Sequence, residues 1–261
     1  CGFRSHSDVT PRKGLRRGFA SGSVASPCGR PSCLGNGSAL ILNSVVVISH
    51  DKKCIFIHIP KCGGTSVEDV IWPQKQGRTE DDLWMGFVSR FENKYQTGGL
   101  QHLLARQVRE EVGSDVFSAY YKFAFVRNPW DRIVSQFAYM QQRPDLMDFL
   151  GMTSDTEFKA YLELIRRKEH VQWMPQVRFL LDQDGSLLVD RIGRLESFDE
   201  DCEQIFSALG LPLDRLPGHV NRSKRRPFQA YYSDDETIEV VADIFSEDIS
   251  FLGYKFADPS L

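Results

Sequence analysis

The chain has 261 residues, of which 41% are hydrophobic, and a formal net charge of −3 at pH 7. That is enough apolar material for one good core, and the charge balance excludes a global pull toward nucleic acid. No apolar run reaches the roughly 18 residues of a membrane-crossing helix.

Residues 1–38 differ in character from the rest. Six basic side chains (Arg4, Arg12, Lys13, Arg16, Arg17 and Arg30) face the single acid Asp8, so this stretch carries +5 and the remainder −8. Ser, Gly and Pro are frequent there and large apolar residues are few. A disordered basic tail or linker is expected, with an Arg- and Ser-rich transit peptide as the alternative. Residues 39–261 are expected to form one α/β domain. Six cysteines show no paired framework of the secreted kind. Reduced thiols and a cytoplasmic location are expected, with the Golgi lumen or an organelle as the alternative if a segment ahead of Cys1 supplies an anchor or transit signal. Cys28 and Cys33 lack a second pair for zinc.

The apolar runs Ala39–Leu42 and Val45–Ile48, broken by Asn43 and Ser44, predict a strand pair or one bent strand. The run Cys54-Ile-Phe-Ile-His-Ile predicts a buried strand, and Pro60 stops its ladder. His58 alternates with Ile57 and Ile59 and reads as a structural residue. Lys61-Cys-Gly-Gly64 then turns into a helix opening with Thr65 and Ser66 and ending before Pro73. Gly63 and Gly64 permit close backbone approach, and the helix start turns its N–H groups and positive dipole end to the same spot. With the charge of Lys61, these features predict an anion cradle. It is not a GxxxxGK[ST] loop, because the lysine precedes the glycines. Nor is it a cysteine-phosphatase loop, because Glu68 stands where an arginine is needed.

A polar region follows to Gly99, with Trp84, Phe87, Phe91 and Tyr95 as core or cleft wall. Leu100–Val112 predicts a helix with Leu103, Leu104, Val108 and Val112 inward. Tyr121–Val126 predicts a second strand. Behind it, Asn128 is a good N-cap and Pro129 a good first helical residue. Trp130, Ile133, Val134, Phe137 and Ala138 form the stripe of an amphipathic helix. Arg127 stands where a nucleoside triphosphatase carries a Mg²⁺-binding Asp. A guanidinium there repels a metal and grips phosphate in bidentate fashion, so a metal-free site for a nucleotide with an extra phosphate is expected.

Ser154-x-x-Glu157 predicts a capping box opening a helix to about Arg167. Arg178–Leu181 and Leu187–Leu195, around Asp182-Gln-Asp-Gly185, predict a β-hairpin. Ser197-x-x-Glu200 and Ser233-x-x-Glu236 predict two further helix starts, the first of these helices ending at Gly210 and the second turning Ile238, Val241 and Ile244 inward. The alternation implies an α/β fold: a central parallel sheet flanked by helices, P-loop-like, with ligands at the carboxyl edge where both anion motifs fall.

At these two motifs, and from about Val46 to Phe256, the chain resembles the PAPS-dependent sulfotransferases of family 2, the group that includes carbohydrate and heparan sulfate sulfotransferases. The resemblance implies that Lys61, Cys62, Gly63, Gly64, Thr65 and Ser66 hold the 5′-phosphosulfate of PAPS, with Lys61 stabilising the bridging oxygen. It implies that Arg127 and Ser135 hold the 3′-phosphate, and that Ser223, Lys224 and Arg225 belong to a loop closing over the nucleotide. That loop could equally bind an anionic acceptor or be a solvated charge run. His102 is carried over as the general base, with Glu68, Asp131 and Glu196 as alternatives. The activity implied is sulfuryl transfer from PAPS to a hydroxyl acceptor, most plausibly a carbohydrate, with no metal. A non-catalytic PAPS- or PAP-binding protein and a small nucleotide kinase are the rival readings. Trp84 and Trp173 are packing residues or, alternatively, platforms for a sugar or aromatic ring.

Overall fold

Two parallel strands without a polar residue at their centres anchor the molecule. In the computed structural model, which describes residues 48–71, 102–211 and 225–258, they are β2 (Cys54–Ile57) and β3 (Tyr121–Val126). Cys54 pairs with Tyr121 and Ile57 with Ala124. This register sets Phe56 beside Phe123, with ring centroids 5.2 Å apart. β1 (Ile48–Ser49) flanks β2, and β4 (Arg191–Arg194) flanks β3, giving the order β1-β2-β3-β4.

The sheet is mixed where an all-parallel one was expected: β3 and β4 run parallel to β2, and β1 runs antiparallel. Only four residues separate Ser49 from Cys54, too few for the crossover a parallel pair needs. Lys53, at φ 47°, closes that turn. The hairpin forecast for Arg178–Leu195 shrinks to one bridge between Leu181 and Leu187 around Gly185. Arg178 and Phe179 lie in a 3₁₀ turn, Gln176–Phe179, instead of a strand. The later residues are drawn into β4 because β3 offers a free edge. At that seam Phe125 faces Gly193, where a Cβ would stand 2.6 Å from the ring.

The helices are α1 (Gly64–Ile71), α2 (Ala105–Val112), α3 (Ser114–Ala119) and α4 (Pro129–Met140). They continue as α5 (Pro144–Leu150), α6 (Phe158–Arg166), α7 (Phe198–Ala208), α8 (Asp235–Ile244) and α9 (Ser246–Leu252). α4 starts as its sequence directs: the Asn128 side chain accepts the Trp130 N–H at 3.0 Å, and Pro129 occupies the first turn. Its apolar stripe is buried except for the half-buried Ala138, but Asp131, Arg132, Ser135 and Gln136 are buried too, so the helix is enclosed almost all round.

The other caps differ from expectation. Ser154 turns to Asp155, and α6 starts without a side-chain cap. The Ser197 hydroxyl donates to Asp201 at 2.8 Å instead of capping α7. Asp234, not Ser233, caps α8 by accepting from the Thr237 N–H at 2.7 Å. A carboxylate is the stronger acceptor for an orphan helix N–H. Val241 is buried as expected, while Ile238 and Ile244 are half-buried. The runs 39–47 and 72–101, with Trp84, Phe87, Phe91 and Tyr95, lie outside the described residues. No helix among the described residues is long and apolar enough to cross a membrane.

Candidate active site

The carboxyl ends of β2 and β3 lie side by side, so the chain leaving each strand shares one space. After β2, Lys61 adopts φ 66° and Gly63 φ 80°. A left-handed lysine is uncommon and costs free energy; the surrounding bonds hold it. The buried Arg132 guanidinium donates from Nε to the Pro60 carbonyl at 3.0 Å and from Nη1 to the Met174 carbonyl at 2.9 Å. The Cys62 thiol points into the core, donating to the Gln176 amide oxygen at 3.2 Å, and burial pushes it up to about 12. Cys62 can therefore offer a ligand only its backbone.

Gln176 ties the two strand ends together. Its amide oxygen accepts the Arg127 N–H and its Nε2 donates to the Arg127 carbonyl, both at 2.8 Å. Asp248 accepts from the same amide at 3.1 Å. Glu196 accepts the Asn128 N–H at 2.6 Å and the Tyr254 hydroxyl at 2.9 Å. Sequence reasoning missed Gln176, Arg132 and the structural use of Glu196. Each acts across more than forty residues of chain, and no local pattern marks such a partner.

Three cations meet at this edge. The Arg127 side chain donates from Nη1 to the Lys61 carbonyl at 3.2 Å, and from Nε and Nη2 to one oxygen of Asp131 at 3.0 and 2.6 Å. Arg225 donates to the other oxygen of Asp131. A carboxylate that is 2% exposed thus holds two guanidiniums together. Lys61 is half-buried, and its ammonium sits 4.2 Å from the centre of the Tyr139 ring. Burial, then the charges of Arg127 and Arg225, lower it to about 8. Asp131, Ser135 and Tyr139 follow one another at helical spacing, so they share a face of α4. Ser135, buried, lies on that face between the arginine pair and the ring beneath Lys61.

The glycine pair also makes room within the protein. A Cβ on Gly64 would stand 2.0 Å from His58 Nε2, and one on Gly63 2.7 Å from a Leu195 methyl. Both glycines make room for side chains of the protein itself. At the start of α1, Thr65 is exposed and Ser66 is buried, while the Ser66 N–H returns to the Gly63 carbonyl at 3.1 Å.

His102 lies in the turn before α2 and does not open the helix. It is 8% exposed, and its Nδ1–H donates to the His58 carbonyl at 2.9 Å. Its ring stands edge-on to that of His58 at 4.6 Å. Burial above all, then His58, holds it well below the usual histidine range, with Arg132 and Lys61 adding to the effect. A neutral ring that donates from Nδ1 carries its lone pair on Nε2.

Trp173 packs as a core residue: it is 5% exposed, stacks on His170 at 4.7 Å and donates to the Lys168 carbonyl at 2.7 Å. Ser223, Lys224 and Trp84 lie outside the described residues. Among the described residues, no group of three or more His, Cys, Asp or Glu is placed to hold a metal ion.

Adjacent parallel strands that each lead into a cationic turn, with the next helix starting beside it, define an α/β protein with a cationic carboxyl edge to its sheet. The profile of the sulfotransferase family matches residues 44–255, and the chain belongs to that family, in its family 2 branch. Membership implies sulfuryl transfer to a hydroxyl-bearing acceptor. An uncharacterized protein of Archaeoglobus fulgidus is 29% identical over 117 residues, covering 45% of this chain and 89% of the relative. No solved structure matches the chain.

Proposed function

We propose that the chain transfers a sulfuryl group from PAPS to a hydroxyl of a carbohydrate. The observation that carries this reading is the Arg127–Arg225 pair on the Asp131 carboxylate, with the Lys61 ammonium over Tyr139 further along the same helix. A cluster of cations at one sheet edge favours a ligand with more than one phosphate. Two separated grips, the Arg127–Arg225 pair and the ammonium of Lys61 beyond Ser135 on the α4 face, suit a donor that is phosphorylated at two positions.

Arg127, Arg225 and Ser135 bind the 3′-phosphate, and the turn from Lys61 to Ser66 binds the 5′-phosphosulfate. Lys224 and Ser223 contribute from the same loop as Arg225. His102 Nε2 takes the proton of the acceptor hydroxyl as that oxygen attacks sulfur. The bond from sulfur to the 5′-phosphate oxygen breaks, and Lys61 stabilises the charge left on that oxygen. No metal is needed for this charge balance. Asp131 is committed to two arginines, Glu196 to a backbone N–H and a tyrosine, and Glu68 to His58, which favours His102 as the base. The free, buried thiols of Cys54, Cys62 and Cys202 favour a reducing, cytoplasmic compartment.

A thermal-shift comparison of PAP with AMP, ADP and ATP tests the donor, since a bound ligand raises apparent stability by mass action. Selective stabilisation by PAP is expected. An equal or larger response to ATP with Mg²⁺ refutes the reading. Transfer of label from PAPS to a panel of glycans, phenols and alcohols tests the acceptor. Tight PAP binding with no transfer to any of them marks a non-catalytic binder.

A further inference from the structure

Behind His102 lies a polar pair that the transfer step does not use. His58 Nδ1 donates to Glu68 Oε1 at 2.6 Å, with side chains 7% and 4% exposed. Glu68 belongs to α1 and His58 follows β2 directly, so this bond ties the helix to the strand end. On its other side the imidazole lies against Gly64, the position where any Cβ would collide with Nε2. Phe56 stacks on the same ring with centroids 5.4 Å apart. The His58 ring is therefore fixed on three sides and has no open path to a substrate. What it presents to the site is its carbonyl, which accepts the Nδ1–H of His102 at 2.9 Å, with the two rings near-perpendicular and their centroids 4.6 Å apart.

We propose that Glu68 and His58 are positioning residues, a buried anchor that fixes the His58 peptide so that His102 keeps its proton on Nδ1 and its lone pair on Nε2. This inference rests on the reading of His102 as base. The physical reason is that a carbonyl selects the donor tautomer only while it stays in line with the ring. A rigid side chain behind that carbonyl keeps it there. Gly64 belongs to the device, because only glycine admits the ring at that depth. The anion loop and the base are thereby joined through one imidazole, so the donor cradle and the proton acceptor keep their spacing.

The test uses the full chain labelled with ¹⁵N-histidine, the His102 signals being assigned by their loss in His102→Ala. The parent is expected to show His102 in the Nδ1–H tautomer. In Glu68→Ala, a mixture of tautomers and a fall of about tenfold or more in the rate of PAPS turnover to PAP are expected, with the PAP-induced thermal shift retained. Glu68→Gln keeps an acceptor oxygen and is expected to restore the tautomer, with turnover within about threefold of the parent. Should Glu68→Ala not fold, the double variant Glu68→Leu with His58→Phe removes the anchor without stranding a buried polar group, and the same two readouts apply. An unchanged tautomer and unchanged turnover in the anchorless variant overturn the inference. Parent-like turnover in His102→Ala overturns the base reading instead, and the tautomer measurement still decides the anchor.

Discussion

The charge of Lys61 gives the sharpest quantitative prediction. Its ammonium titrates at about 8, lowered first by burial and then by Arg127 and Arg225. The charged form, which binds anions, is present below that value and lost above it. With a pKa near 8, about ten in eleven molecules carry the charge at pH 7 and about one in eleven at pH 9. If the ammonium contributes most of the grip on the phosphosulfate end, PAP affinity falls by about tenfold over those two pH units. The ligand confounds the measurement little, since the second ionisation of a phosphate lies near pH 6 and is already about ten-elevenths complete at pH 7. His102 is already neutral there, and Cys62 does not ionise until about 12. Calorimetric titration with PAP at pH 7, 8 and 9 measures the fall. Lys61→Arg supplies the control: a guanidinium stays charged throughout, so its affinity is expected to be flat across the range. A flat profile in the parent, or the same tenfold fall in the arginine variant, refutes the assignment of the titration to Lys61.

Arg127→Ala removes a charge-assisted grip worth about 1.5–3 kcal/mol. PAP binding is expected to weaken by about ten- to a hundredfold while AMP binding changes little; equal losses for both ligands, compared by calorimetry, contradict a role at the 3′-phosphate. Gln176→Leu strands the buried Arg127 N–H and carbonyl and takes one donor from Asp248, which keeps the Val177 N–H. Unpartnered buried groups cost about 1–3 kcal/mol each, so a loss of at least about 2 kcal/mol is expected in urea denaturation, and a loss below 1 kcal/mol counts against Gln176 as the tie between the two loops. Gly64→Ala drives a methyl into the anchored His58 ring and is expected to cost about 1–3 kcal/mol. A variant of unchanged midpoint shows that the ring can move aside, which also weakens the anchor assigned to His58 and Glu68.

The strand at Cys54–Ile57, the strand at Tyr121–Val126 and the cap of α4 follow directly from sequence, because each depends on local matters: apolar runs, a proline that ends a ladder, an Asn-Pro pair that starts a helix. Lys61 and Arg127 could be placed at one sheet edge for the same reason, since each lies just beyond a strand, and sheet topology fixes where strand ends go. The caps forecast at Ser154 and Ser233 failed because each serine donates its hydroxyl to the aspartate that follows it, and at α8 that aspartate is itself the cap. The long hairpin failed because the edge of β3 captured only Arg191–Arg194.

Tertiary structure alone decided the rest. That Gly64 and Gly63 also make room for His58 and Leu195 depends on which side chains pack against the loop. Asp131, one acidic residue in a helix by pattern, became the carboxylate shared by Arg127 and Arg225, residues 98 positions apart in the chain. Gln176 carried no signal, yet it closes the gap between two strand ends. Local sequence sets which backbone shapes are favourable; buried polar partnerships depend on packing between distant segments, and only the folded chain brings those together.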